Sequence, residues 1–92
     1  MGAPSDIILG LDVGTTAAKA SLFSLDGVLR LTASREYPLL NPVPGWHVQD
    51  PHAVARGVLE AMADAVSRDA AARIVGISIS TAMHGLVGLD RE

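Results

Sequence analysis

The 92-residue sequence contains no cysteine and only one tryptophan, one tyrosine and one phenylalanine. The absence of cysteine excludes a disulfide scaffold and a thiolate zinc site. It also fits a reducing compartment, and we expect a cytoplasmic protein. Because aromatic residues are so few, the 49% of hydrophobic residues predict an aliphatic core, large enough for one small domain.

Clusters of basic residues are also missing. Seven Lys and Arg residues against ten Asp and Glu residues give a net charge of −3 at pH 7. Nucleic acids and anionic membranes select clustered positive charge, so we expect neither as a partner. The longest early apolar run, Ile7–Leu11, is too short for a signal-peptide core or a membrane span. We interpret residues 1–5 as a disordered leader.

What the chain does contain is an apolar run that ends in a carboxylate and leads into a small, hydroxylated turn. Asp12 closes the run, and Gly14, Thr15 and Thr16 form the turn. Such a turn between two strands can offer N–H groups and hydroxyls to phosphate oxygens, while Asp12 could hold a hydrated divalent cation. The residues also allow an ordinary hairpin in which Gly14 supplies a positive φ. Lys19, the only lysine, lies near the turn or is a solvated edge charge.

The remaining pattern is typical of an α/β fold. It predicts a helix that begins after the N-cap residue Asp50, with Pro51 at the first helical position. The helix should bury an apolar stripe made of Val54, Val58, Leu59, Met62, Ala65 and Val66. The prolines of Tyr37–Asp50 predict a loop without regular structure. The predicted strands are Ile7–Asp12, Ala17–Ser24, Val28–Glu36, Ile74–Ser80 and Leu86–Leu89, with a tight turn at Asp26 and Gly27.

The order of these elements predicts a mixed sheet. The first three strands are joined by tight turns and should form an antiparallel meander. A strand, a helix and a further strand imply a crossover that places the fourth strand beside the first.

The Asp12 turn resembles the first phosphate motif of the actin-like ATPase superfamily. Three further segments make the chain similar to the N-terminus of an FGGY-type carbohydrate kinase. They are the loop from Tyr37 to Trp46, the run Gln49-Asp50-Pro51, and Ile77 to Gly85 with its Ala82-Met83-His84. Within that family the loop and Ala82-Met83-His84 look most like gluconate kinases, and xylulose kinases come next.

The resemblance implies a ribonuclease-H-like domain with the element order β-β-β-α-β-β. Residues 6–92 would be the N-terminal part of the first domain, without the later helices and the second domain. It also implies phosphoryl transfer from ATP to a sugar or sugar acid, with gluconate favoured over xylulose. The position matching Asp12 then serves Mg²⁺, and those matching Gly14, Thr15, Thr16 and Lys19 lie near the phosphates. The candidate substrate-binding residues are Thr81, Met83 and His84.

In the family the general base and the adenine site come from later parts of the chain. We therefore expect a fragment that has no kinase activity by itself. His84 could instead be a hydrogen-bonded loop residue, and Trp46 an anchor of its loop. Two other classes stay open: a nuclease with Asp12 and Asp90 on a catalytic metal, and a non-catalytic assembly module that forms a homo-oligomer through an uncovered sheet face.

Overall fold

A mixed sheet with one helix packed on it makes up the part of the chain that the computed structural model describes, residues 5–40 and 48–81. The elements are β1 (Ser5–Val13), β2 (Ala17–Ser24), β3 (Leu29–Glu36), β4 (Leu39–Leu40), β5 (Val48–Gln49), α1 (Pro51–Ser67) and β6 (Ala72–Thr81). The N–H of Ser5 donates to the carbonyl oxygen of Ala71 at 2.8 Å. Ser5 therefore belongs to the sheet and not to the predicted leader. The predicted strand Leu86–Leu89 lies outside the described residues.

The four longer strands are ordered β3-β2-β1-β6. β1 pairs antiparallel with β2, and β2 with β3, whereas β6 runs parallel to β1. This arrangement confirms the predicted meander and the crossover that sets the later strand beside the first. The β2–β3 turn has Gly27 at φ +88°, as its Asp-Gly sequence predicts.

Alternation along β1 and β2 separates a core face from an open face. Ile7, Leu9 and Leu22 are fully buried on the core face, where α1 packs mainly on β2 and β3. Because α1 does not extend over β6, Ile77 and Ile79 on the same face of the sheet remain 54% and 64% exposed.

Helix α1 starts as predicted and buries part of the predicted stripe. The Asp50 side chain accepts a hydrogen bond from the N–H of His52 at 3.0 Å. The buried residues are Gly57, Ala61 and Ala65. Ala65 belongs to the predicted stripe, and Val58 and Met62 of that stripe pack against the core. The prediction is wrong for Leu59 and Val66, which are exposed. The small side chains let the helix approach the sheet closely. Within the described residues, no helix is long and apolar enough to cross a bilayer.

The proline-rich loop has a short regular ladder at its two ends. β4 pairs antiparallel with β5, with Leu39 opposite Gln49. Our expectation of no regular structure in Tyr37–Asp50 is therefore wrong at these positions. The prolines lie outside the four paired residues, so the ladder loses no N–H donor to them.

Candidate functional site

The turn between β1 and β2 is held closed by its own backbone. The N–H of Gly14 donates to the carbonyl oxygen of Ala17 at 2.9 Å. A Cβ atom at Gly14 would lie 3.2 Å from that same oxygen. Among residues 5–40 and 48–81, positive φ occurs at Gly27 and not at Gly14. The close approach of the Ala17 oxygen, and not a left-handed backbone, therefore explains a glycine at position 14. The interpretation as an ordinary hairpin explained Gly14 by a positive φ, and that explanation is wrong.

Asp12 is exposed near the end of β1, on the open face of the sheet. Its register partners are Lys19 on β2 and Ser80 on β6. Paired residues of neighbouring strands project to the same face, so these three side chains share one end of the open face. The ion pairs within the described residues do not involve Asp12; they join Arg30 to Asp69, Arg35 and Arg68 to Asp64, and Arg73 to Asp6.

The chemistry of this carboxylate fits a hydrated magnesium ion. In the described part of the chain, no three His, Cys, Asp or Glu residues gather into a metal-binding group. Mg²⁺ keeps several of its waters and needs only one or two protein carboxylates. The exposed Asp12 can therefore hold such an ion through its water shell, without an enclosed set of protein ligands.

A bulge in β6 brings two serines to the open face. Val75 is the extra residue where the register between β1 and β6 shifts. Because side chains alternate along a strand, the shift reverses the faces of the residues that follow. Ser80 then lies opposite Asp12, and Ser78 lies opposite Gly10. Sequence reasoning missed both serines. Their alternation with isoleucines was a visible signal, but it did not say which face they occupy.

Two surface depressions lie beside the turn. One, of about 440 Å³, is lined by Thr16, Glu36, Tyr37 and Pro38. The other, of about 200 Å³, is lined by Gly10, Leu11, Asp12, Ser21, Phe23, Ser78 and Ser80. Asp12 and Thr16 are thus close in sequence and yet line different depressions.

Tyr37 connects the turn to the residue after β3. Its hydroxyl donates to the carbonyl oxygen of Gly14, and its N–H donates to the carbonyl oxygen of Thr16 at 2.9 Å. The residue is 4% exposed. Burial raises the pKa of the Tyr37 phenol, and the nearby Asp12 carboxylate raises it further. Sequence reasoning placed Tyr37 only in the proline loop, and no local pattern announces a bond to a residue so distant in the chain.

The sequence-predicted site residues fall into three groups. Asp12, the turn residues 14–16 and Lys19 come together at one end of the sheet. Thr81 ends β6 at the same end but lies opposite Val13, so it belongs to the other face from Asp12. Met83 and His84 lie outside the described residues. The binding roles of all these residues stay predictions.

Comparison with known proteins identifies a family to which the sequence is similar. The N-terminal domain of the FGGY family of carbohydrate kinases matches residues 7–92. The chain is 37% identical over 87 residues to the xylulose kinase of Bacillus subtilis (strain 168), and 36% identical over 85 residues to the gluconokinase of the same organism. Each alignment covers 92% of this chain and 17% of the relative.

A solved structure agrees with the sequence relatives. The crystal structure of gluconate kinase from Lactobacillus acidophilus is similar with a TM-score of 0.80 at 34% identity, covering 87% of this chain and 16% of that one. The chain spans about a sixth of the length of these relatives. The match over residues 7–92 and the shared fold establish that this chain belongs to the FGGY family of carbohydrate kinases.

Proposed function

We propose that a kinase of the relatives' length, with this chain as its N-terminal part, transfers the γ-phosphoryl group of ATP to a hydroxyl of a sugar or sugar acid. The observation that carries the proposal is the exposed Asp12 carboxylate beside the Gly14–Thr16 turn, with Lys19 as its register partner. Membership of the FGGY family supports the reaction class.

Each residue of the turn has its own role in this proposal. Asp12 would hold hydrated Mg²⁺, which neutralises charge on the phosphates when it is bound. Thr15 and Thr16 would donate to phosphate oxygens, and the Lys19 ammonium adds positive charge on the face of Asp12. Gly14 would lie beside the phosphates without donating to them, because its own N–H is bonded within the turn.

Gluconate is the substrate we favour, with xylulose second. The gluconate-like Ala82-Met83-His84 motif supports this choice, and Thr81, Met83 and His84 would contact the sugar acid. Overall identity does not separate the two, since it is 37% to a xylulose kinase and 36% to a gluconokinase. Comparing kcat/KM for gluconate, xylulose and glycerol in the kinase of full length tests the choice. A preference for either of the other two would overturn it.

The chemical step also needs a base that accepts the hydroxyl proton of the substrate. We assign none of the residues of this chain to that role, and we propose that the 92 residues alone do not catalyse transfer. Sustained ATP consumption by the purified chain in the presence of gluconate would contradict this.

The nucleotide half of the proposal is testable on the chain itself. We expect Mg·ATP to shift the backbone amide signals of residues 12–19 in an NMR titration, and ATP without Mg²⁺ to shift them less. Asp12→Asn should remove the difference between the two titrations. Asp26→Asn is the matched control, because Asp26 is another exposed carboxylate and lies in the β2–β3 turn. Equal responses of the two variants would contradict the role of Asp12.

A further inference from the structure

Two carbonyl groups of the Gly14–Thr16 turn, those of Gly14 and Thr16, are bound by a single residue. The Tyr37 hydroxyl binds the carbonyl oxygen of Gly14, and the Tyr37 N–H binds that of Thr16 at 2.9 Å. The N–H bond continues the β2–β3 ladder by one residue beyond the Ala17–Glu36 pair, and the hydroxyl bond reaches further into the turn, to Gly14. The turn is therefore tied to the third strand as well as to the two strands that it joins.

Fixing a carbonyl also fixes the N–H of the same peptide unit. The peptide group is planar and trans, so its C=O and N–H point in opposite directions. The carbonyl of Gly14 shares a peptide with the N–H of Thr15. When Tyr37 holds that carbonyl towards itself, it directs the N–H of Thr15 away from the tyrosine.

The tyrosine ring is itself held in place by the helix. Tyr37 as a whole residue is 4% exposed, and a Cβ atom at Gly57 of α1 would lie 3.0 Å from the Cδ1 atom of its ring. The ring thus packs tightly against Gly57, where the absence of a side chain leaves room for it. A buried aromatic side chain packed so tightly has little rotamer freedom, which makes it a rigid support for the turn.

We propose that Tyr37 is the positioning residue of the phosphate-facing turn. It fixes the direction of the Gly14–Thr16 backbone through two hydrogen bonds and so presents the Thr15 and Thr16 groups to phosphate. The inference rests on the proposed function, because the turn needs a set direction only if it binds a ligand there.

The decisive variant is Tyr37→Phe in the full 92-residue chain. It removes the bond to Gly14 and keeps both the ring and the N–H bond to Thr16. Thr32→Val is the matched control, since it removes another side-chain hydrogen bond of the same region, the one between Thr32 Oγ1 and Ser21 Oγ at 2.9 Å. NMR order parameters and the carbonyl ¹³C shift of Gly14 report on the turn, and Mg·ADP is the binding probe.

We expect Tyr37→Phe to lower the order parameters of residues 14–16 and to shift the Gly14 carbonyl signal, with the rest of the sheet unchanged. The dissociation constant of Mg·ADP should rise roughly two- to tenfold, the effect of one hydrogen bond. Thr32→Val should change neither quantity. If Tyr37 had a purely structural role, Tyr37→Phe would lower the melting temperature but would leave the order parameters of the turn and the dissociation constant of Mg·ADP unchanged.

Two results would overturn the inference. One is a Tyr37→Phe turn as ordered as in the parent chain, and the other is an unchanged dissociation constant for Mg·ADP. A parent chain whose turn amides do not respond to Mg·ADP would instead overturn the proposed nucleotide role of the turn. In that case the order parameters alone still decide whether Tyr37 holds the turn.

Discussion

The hydroxyl of Tyr37 donates to the carbonyl oxygen of Gly14, a residue 23 positions earlier in the chain. The bond joins the end of β3 to the turn that follows β1. A phenolate has no proton to donate, so ionisation of Tyr37 removes this connection. The Asp12 carboxylate also acts on the same phenol, which ties the ionisation of Tyr37 to the candidate metal site.

The first prediction concerns this ionisation. Tyr37 is the only tyrosine in the chain, so the ultraviolet absorbance of tyrosinate reports on it alone. We expect a pKa above the ordinary 10.0, mainly because of burial and further because of Asp12. Asp12→Asn should lower the pKa but leave it above 10.0, since burial is the larger cause. The Asp26→Asn variant should titrate like the parent chain, and an unshifted pKa in the parent would contradict the geometry at Gly14.

The same shift sets a pH dependence of stability. The phenol is neutral when protonated, and its pKa is higher in the folded state than the 10.0 of an exposed tyrosine. Its contribution to the free energy of unfolding is therefore complete below pH 10.0 and is lost as the pH rises through the folded-state pKa. Denaturant unfolding across an alkaline pH series measures this loss. Tyr37→Phe should be less sensitive to pH over that range, and an equal decline in both chains would contradict the prediction.

A second prediction tests the contact between helix and ring. Gly57→Ala gains about 1 kcal/mol of helix propensity, but its Cβ would lie 3.0 Å from Tyr37 Cδ1. Overpacking costs about 1–3 kcal/mol, so we expect no gain or a net loss of stability. In a Tyr37→Leu background the same change should stabilise the chain by up to about 1 kcal/mol. Equal effects in the two backgrounds, measured by denaturant unfolding, would show that the ring does not limit this position.

A third prediction compares an apolar residue of β1 with an apolar residue of β6 on the same face of the sheet. Leu9 is 1% exposed and Ile79 is 64% exposed. We expect Leu9→Ala to lower the free energy of unfolding by about 2–5 kcal/mol, because it leaves a cavity in the core. Ile79→Ala should cost less than about 1 kcal/mol, since most of its surface is already in water. Similar losses from the two variants would mean that β6 is covered in solution.

A fourth prediction concerns Asp64 of α1, which accepts hydrogen bonds from Arg35 Nη1 at 3.0 Å and from Arg68 Nε at 3.0 Å. The Asp64 side chain is 18% exposed but Arg35 is 41% exposed, so solvent weakens the pair. We expect Asp64→Asn to cost about 1 kcal/mol, with a smaller effect at high salt. Glu60→Gln, one helical turn earlier and exposed, is the control and should cost less. A loss that does not depend on salt would argue against an ion-pair origin.

Much of the fold could be read from short-range chemistry. The existence of strands β1 and β2, the Asp-Gly turn at Gly27 and the Asp50-Pro51 helix start each depend on neighbours in sequence, and each was predicted correctly. The helix face was harder. Gly57 is buried because the Tyr37 ring packs against it. A pattern of hydrophobic side chains does not include glycine, so it could not identify this position as part of the buried face.

For the candidate site, the sequence by itself determined that Asp12 ends an apolar strand and meets a small turn, since both follow from residues adjacent in the chain. Only the tertiary structure decided what faces Asp12. The bulge at Val75 determines which β6 side chains share the face of Asp12, and it places Ser80 opposite Asp12. It also decided that Tyr37 reaches Gly14. The physical reason is that strand register and cross-sheet hydrogen bonds depend on partners distant in sequence, which no local pattern encodes.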